Sequence, residues 1–148
     1  MLYLASDHRG FELKEKIKPF LAEAKISFED LGAFKYIPGD DYPDYAKLLA
    51  GQILKNPGSL GVALCGSGAG MSIVLNKFDG IRAGLSQDPK MAAAQKQDND
   101  INVLVIPADF IDHGKAFSMV KGFLAETLKP DPKYRRRLDK IREIEQDN

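Results

Sequence analysis

The chain has 148 residues, of which 44% are hydrophobic and 28% charged, with Lys plus Arg and Asp plus Glu each numbering 21. That length can bury a sizeable core as one domain over residues 1–148, and the composition excludes a disordered or fibrous protein. Balanced charge leaves no overall basic charge to draw the chain to nucleic acid or membrane, and no apolar run approaches the roughly 18 residues of a bilayer span.

Short β-like runs alternate with amphipathic ones. "LYLA" predicts a first strand, and "SDHRG" reads as the turn after it. In "FELKEKIKPFLAEA" the residues Phe11, Leu13, Ile17, Phe20 and Leu21 recur at helical spacing, with Pro19 expected to kink or shorten the helix. "ISFEDLG" predicts strand two, "KYIPGDDYPD" a loop and "YAKLLAGQIL" a helix. "LGVALC" is apolar on both faces, as a central parallel strand is. After the glycines, "MSIVLNKF" starts a helix and "GIRAGL" is strand four. "DPKMAAAQKQ" is a helix with an Asp cap and Pro at its first position, and "INVLVI" is strand five. A helix from about Ile111 to Leu128, a break at "KPDP" and a charged terminal helix complete the chain. The pattern predicts an α/β fold: a Rossmann-like open parallel five-stranded sheet, helices on both faces and an extra C-terminal helix. The carboxyl ends of its strands share one edge, where such folds bind ligands.

Chemistry collects in "GVALCGSGAGMS". Gly66, Gly68 and Gly70 let a ligand approach the backbone, and the helix that follows turns free N–H groups into the bend. The pattern matches neither the phosphate-binding P-loop nor the dinucleotide fingerprint. Cys65, the only cysteine, stands where N–H groups and a helix dipole are expected to lower its pKa. A thiolate there can take a proton from a carbon beside a carbonyl. Read alone, a cysteine at a strand end is usually buried core filler, and so is Cys65. Asp7 is equally a helix cap, His8 equally a solvated side chain, and "YRRRLDK" equally a solvated face. A single cysteine forms no internal disulfide and fits a reducing compartment. The apolar start is too short for a signal peptide, so a cytoplasmic protein is expected.

Together "SDHRGFELK", "DYPDYA", "CGSGAGMSIVLNKFDGIRA", "DNDINVLVI" and the terminal "RRRLDKIREIE" resemble, nearly end to end, the ribose-5-phosphate isomerase B and galactose-6-phosphate isomerase family of aldose–ketose isomerases. The resemblance implies a sugar-phosphate substrate and no metal or organic cofactor. It also implies a homodimer or homotetramer with active sites at the subunit interface. Cys65 would be the base that moves a proton between C1 and C2. Ser67, with the backbone of Gly66, Gly68 and Gly70, would surround the enediolate. Asp7 would hold sugar hydroxyls, Tyr42 would line the pocket and Asn99 would bind the oxygen near the reacting carbons. His8, Arg9, Lys133 and Arg137 would bind the phosphate. Asp7, His8, Ser67 and Asn99 are all expected on the Cys65 edge.

Four positions depart from the family pattern. Asp98 stands where a ring-opening histidine is usual, and a carboxylate there accepts the anomeric proton more readily than it donates one. Asp109 stands where many members carry an arginine, reversing a charge near the phosphate. Lys133 and Tyr134 replace an arginine–histidine pair, keeping charge but losing the bidentate fork. Two other classes fit less of the pattern: a non-catalytic sugar-phosphate-binding protein on the same fold, and a flavodoxin-like nucleotide or flavin binder.

Overall fold

The computed structural model describes Met1–Asn148 in full. Five strands, β1 (Leu2–Ser6), β2 (Phe28–Asp30), β3 (Leu60–Cys65), β4 (Ala83–Leu85) and β5 (Val103–Pro107), form one sheet in the order β2-β1-β3-β5-β4, every pair parallel. Six helices connect and follow them: α1 (His8–Glu23), α2 (Tyr42–Lys55), α3 (Ala69–Leu75), α4 (Pro89–Asn99), α5 (His113–Ala125) and α6 (Pro132–Asp147). None is long and apolar enough to cross a membrane.

The three central strands are buried throughout their shared length, and alternation divides their side chains between two cores. Leu2, Leu4, Val62, Leu64, Leu104 and Ile106 pack with α1 and α5. Tyr3, Ala5, Ala63, Cys65, Val103 and Val105 pack with α2 and α3. Cys65 therefore belongs to the α2/α3 face, directly beneath the glycine turn.

Several boundaries differ from the sequence reading. "SDHRG" is not a turn: α1 begins at His8, with the Asp7 carboxylate accepting the Gly10 N–H at 2.9 Å. Pro19 lies inside α1 without ending it, on the exposed face where water can take the carbonyl it frees. Helix α2 starts three residues early, with Pro43 in its first turn. Strands β2 and β4 are sheet edges of three residues each, shorter than their apolar runs, because each has one neighbour to pair with.

Helix α1 lies so close to β3 that a β-carbon on Gly10 would overlap the Leu64 carbonyl. Leu64 cannot yield, because its strand is paired on both sides. Gly10→Ala is expected to cost on the order of 3 kcal/mol, at the top of the overpacking range. A urea melt checks this.

A buried charge network fixes the loop after β2. Lys14, wholly buried, donates to Asp30 Oδ1 at 2.5 Å and to the Ala33 carbonyl at 2.6 Å, and Lys18 reaches Asp30 Oδ2 at 2.9 Å. Burial is the largest influence on both partners, pulling Lys14 down and pushing Asp30 up. At Asp30 the hydrogen bonds from Lys14, Lys18 and Gly32 outweigh it, so the carboxyl sits below its usual value. A depressed folded value means stability that is present above the unfolded pKa, about 4, and lost as pH falls through the folded one. Urea midpoints should therefore fall below about pH 4, and Asp30→Asn should flatten that dependence.

Candidate active site

The turns after β1, β3 and β5 meet at the carboxyl edge because β1 and β5 flank β3. Cys65 ends β3 with 4% of its surface exposed. The backbone N–H groups of Gly68 and Met71 lie on the thiolate-favouring side of its sulfur, so the bend forms a cradle beside the thiol. Gly68 holds that bend at φ +79°, where an added β-carbon would also strike Leu85, and this position requires glycine. Ser67 is exposed at the lip, its Oγ accepting the Ala69 N–H at 3.3 Å. Tyr42 lays its ring against Gly70, where a β-carbon would fall 2.7 Å from Cζ.

The expected lowering of the Cys65 pKa is not what the cradle produces. Burial, the largest influence, pushes the thiol above its ordinary value, and the nearby Asp7 carboxylate adds to that. The N–H groups of Met71 and Gly68 and the charge of Arg9 oppose the rise without reversing it. The resting residue is a protonated thiol. Asp7 itself is pushed up, chiefly by burial.

His8 is gripped by Asp40, a residue the sequence reading did not single out. Asp40 Oδ1 takes the His8 backbone N–H at 2.9 Å and lies 2.7 Å from its Nδ1. Asp40 Oδ2 is buried with no hydrogen bond of good geometry, and the Tyr45 hydroxyl is close enough to turn toward it. The pairing with His8 holds the Asp40 carboxyl below its usual value despite burial. Asp7, His8 and Asp40 bring potential metal-ligand atoms within 4.8 Å of one another. His8 and Asp40 hydrogen-bond each other and Asp7 caps α1, so each of the three has a partner within the chain. Asp109, the reversed charge after β5, is paired with Arg9.

The remaining expected residues lie elsewhere. Helix α4 runs from the carboxyl end of β4 back toward the start of β5, so Asp98 and Asn99 sit at the opposite sheet edge. Val103, which follows them, pairs with Gly61, four residues before Cys65, or about 13 Å of strand. The expectation that Asn99 shares the Cys65 edge of the same chain is therefore wrong. Asp98 forms an ion pair with Lys129 at 2.7 Å. Lys129, Lys133 and Arg137 gather around the Tyr134 ring, 5.1 to 5.6 Å from its centroid. Asn99 lines a cavity of about 550 Å³ between α6 and β4, whose lining includes neither Cys65 nor the glycine turn. The expected site residues thus fall into two groups: Asp7, His8, Tyr42, Cys65 and the glycine turn at one edge, and Asp98, Asn99, Lys133 and Arg137 at the other.

Comparison with known proteins identifies the lineage. The profile of the Ribose/Galactose Isomerase family matches residues 2–141. The chain belongs to this family. Family membership makes it an aldose–ketose isomerase. Among relatives, it is 43% identical over 123 residues to a probable ribose-5-phosphate isomerase B of Mycoplasma pneumoniae, covering 83% of this chain and 81% of the relative. Among solved structures, the family fold is seen in a ribose 5-phosphate isomerase of Thermotoga maritima at 42% identity and TM-score 0.91, covering 96% of this chain and 97% of that one. The ribose-5-phosphate isomerase B of Mycoplasma genitalium, solved with bound ribulose-5-phosphate, aligns at 34% identity and TM-score 0.94 over 99% of this chain and 97% of that one.

Proposed function

We propose that this isomerase interconverts ribose 5-phosphate and ribulose 5-phosphate through a cis-enediolate, with Cys65 as the base. The observation that carries the reading is the sole thiol, seated under the glycine turn beside the backbone N–H groups of Gly68 and Met71, at the carboxyl edge of the sheet in a family member. The Cys65 sulfur, once deprotonated, takes the C2 proton of the open-chain aldose. The electron pair moves into a C1–C2 double bond, and the O1 charge is met by N–H groups of the turn and by Ser67. The thiol exchanges its proton with solvent while the enediolate lasts and returns a proton to C1, an O2-to-O1 proton exchange completes the change, and the ketose leaves with no net gain or loss. Asp7 holds hydroxyls, Tyr42 walls the pocket and His8, oriented by Asp40, meets the phosphate.

The two groups complete each other as half-sites in a homodimer. A two-fold axis that sets the Cys65 edge of one chain against the Asn99 edge of its partner builds two whole sites at once. Asn99 then reaches the reacting oxygens, Asp98 accepts the anomeric proton, and Lys133 and Arg137 supply cations to the phosphate. Exposed apolar side chains support such an interface: Leu48 and Leu54 on α2, Ile73 on α3 and Ile144 on α6 are 46% to 62% exposed. The reaction is assigned to the cytoplasm, where the thiol stays reduced. Assays of the purified protein with ribose 5-phosphate, allose 6-phosphate and galactose 6-phosphate test the substrate. Ribose 5-phosphate should turn over fastest, whereas turnover of a hexose phosphate alone would reassign it.

A further inference from the structure

Arg9 does not extend freely into solvent. Its guanidinium lies across Gly66, where an added β-carbon would overlap Cζ and Nε. The carboxylate that holds it there belongs to Asp109, 100 residues away in the turn after β5. Asp109 is tied to the same glycine through its backbone, its N–H donating to the Gly66 carbonyl at 3.0 Å. The adjacent Ala108 N–H donates to the Cys65 carbonyl at 2.9 Å. The start of α1, the glycine turn and the turn after β5 are thus clipped together around one guanidinium, a residue away from the thiol.

We propose that Arg9, held over Gly66 by Asp109, is the cation that balances the negative charge of the Cys65 thiolate, with Asp109 as its positioning residue. Arginine suits this task because it stays charged and offers five donors, of which Asp109 engages one nitrogen, Nη2. The other charge facing the sulfur is Asp7, which opposes thiolate formation. His8 is committed to Asp40. On the outer side of Arg9, a shallow cavity of about 270 Å³ also carries Glu12, Lys16, Asp112 and His113. The inference rests on the isomerase reading only for what the thiolate then does, since the thiol equilibrium needs no substrate.

The chain has one cysteine, so the carbon-13 shift of its labelled β-carbon reports a single titration. Arg9→Met should raise the thiol midpoint by about one pH unit, the low end for an opposite charge because this one is half exposed. Asp109→Ala should raise it less, and adding Asp109→Ala to Arg9→Met should change nothing more, because Asp109 acts through Arg9. The atoms nearest a β-carbon on Gly66 all belong to the flexible guanidinium, so Gly66→Ala displaces it and should move the midpoint the same way, which keeps the test open if Arg9→Met folds poorly. An unmoved midpoint in both Arg9→Met and Gly66→Ala would overturn the proposal. So would an Asp109→Ala effect that persists undiminished without Arg9. In turnover, Arg9→Met should lose about tenfold in kcat near pH 7 and regain it at alkaline pH, which a merely structural role does not produce. A moved midpoint in a protein that isomerises none of the sugar phosphates would support the charge balance and refute the substrate reading.

Discussion

Cys65→Ala should lose at least about 10³-fold in kcat with ribose 5-phosphate while keeping its fold. The side chain is small and sits at the end of β3, so its removal leaves a minor void in the α2/α3 core, and the urea midpoint should move little. Cys65→Ser restores the volume but replaces the base with a hydroxyl of far higher pKa, and it should be as inactive as the alanine variant. The raised thiol pKa adds a second signature. A base that rests protonated is present as thiolate only in a small fraction near neutrality, so wild-type kcat/KM should climb as pH rises from about 7 toward the thiol midpoint. A flat profile over that range, or an alanine variant with full turnover, would remove Cys65 from the role of base.

Mixing two inactive variants should regenerate activity. Cys65→Ala damages one half-site and Asn99→Ala the other, so each homodimer carries two broken sites. In the mixed dimer one site receives both substitutions and its twin receives neither. Random reassortment of equal amounts makes half the dimers mixed, each with one native site, so about one quarter of wild-type activity should return. Each chain assayed alone should stay near zero. If reassorted subunits regain nothing, Cys65 and Asn99 do not belong to sites shared between chains. This prediction rests on the proposed two-fold dimer and on the fold: α4 carries Asn99 to the sheet edge opposite the thiol, and no side chain spans that distance within a chain.

The central fold was legible because β1, β3 and β5 are apolar on both faces, and only a covered parallel sheet uses strands of that kind. The edge strands were harder, since "ISFEDLG" and "GIRAGL" contain more β-like residues than one neighbour can pair. At the site, Asp7, His8, Tyr42 and the glycine turn assemble at the Cys65 edge because each lies at or just before the start of the helix that follows a strand's carboxyl end. Asn99 was misplaced by a readable signal. "DNDINV" precedes strand five rather than following it, and a helix-to-strand turn lies at the amino edge. The cysteine pKa was misjudged because turn geometry shows N–H donors but not the burial that outweighs them. Asp40 and Asp109 had no local signal. Their partners, His8 and Arg9, are 32 and 100 residues away, and only the strand order brings them together. Asp109, which looked like a charge reversal, is the partner of an arginine that has entered from the other flank of β3.

The most direct test of Cys65-based proton transfer is proton NMR of ribose 5-phosphate with the enzyme in D₂O. Deuterium should enter C2 of the aldose and C1 of the ketose with the wild-type protein, and neither position should exchange with Cys65→Ala. Ketose formed without solvent deuterium, or exchange persisting at the wild-type rate in the alanine variant, would contradict the enediolate route through Cys65.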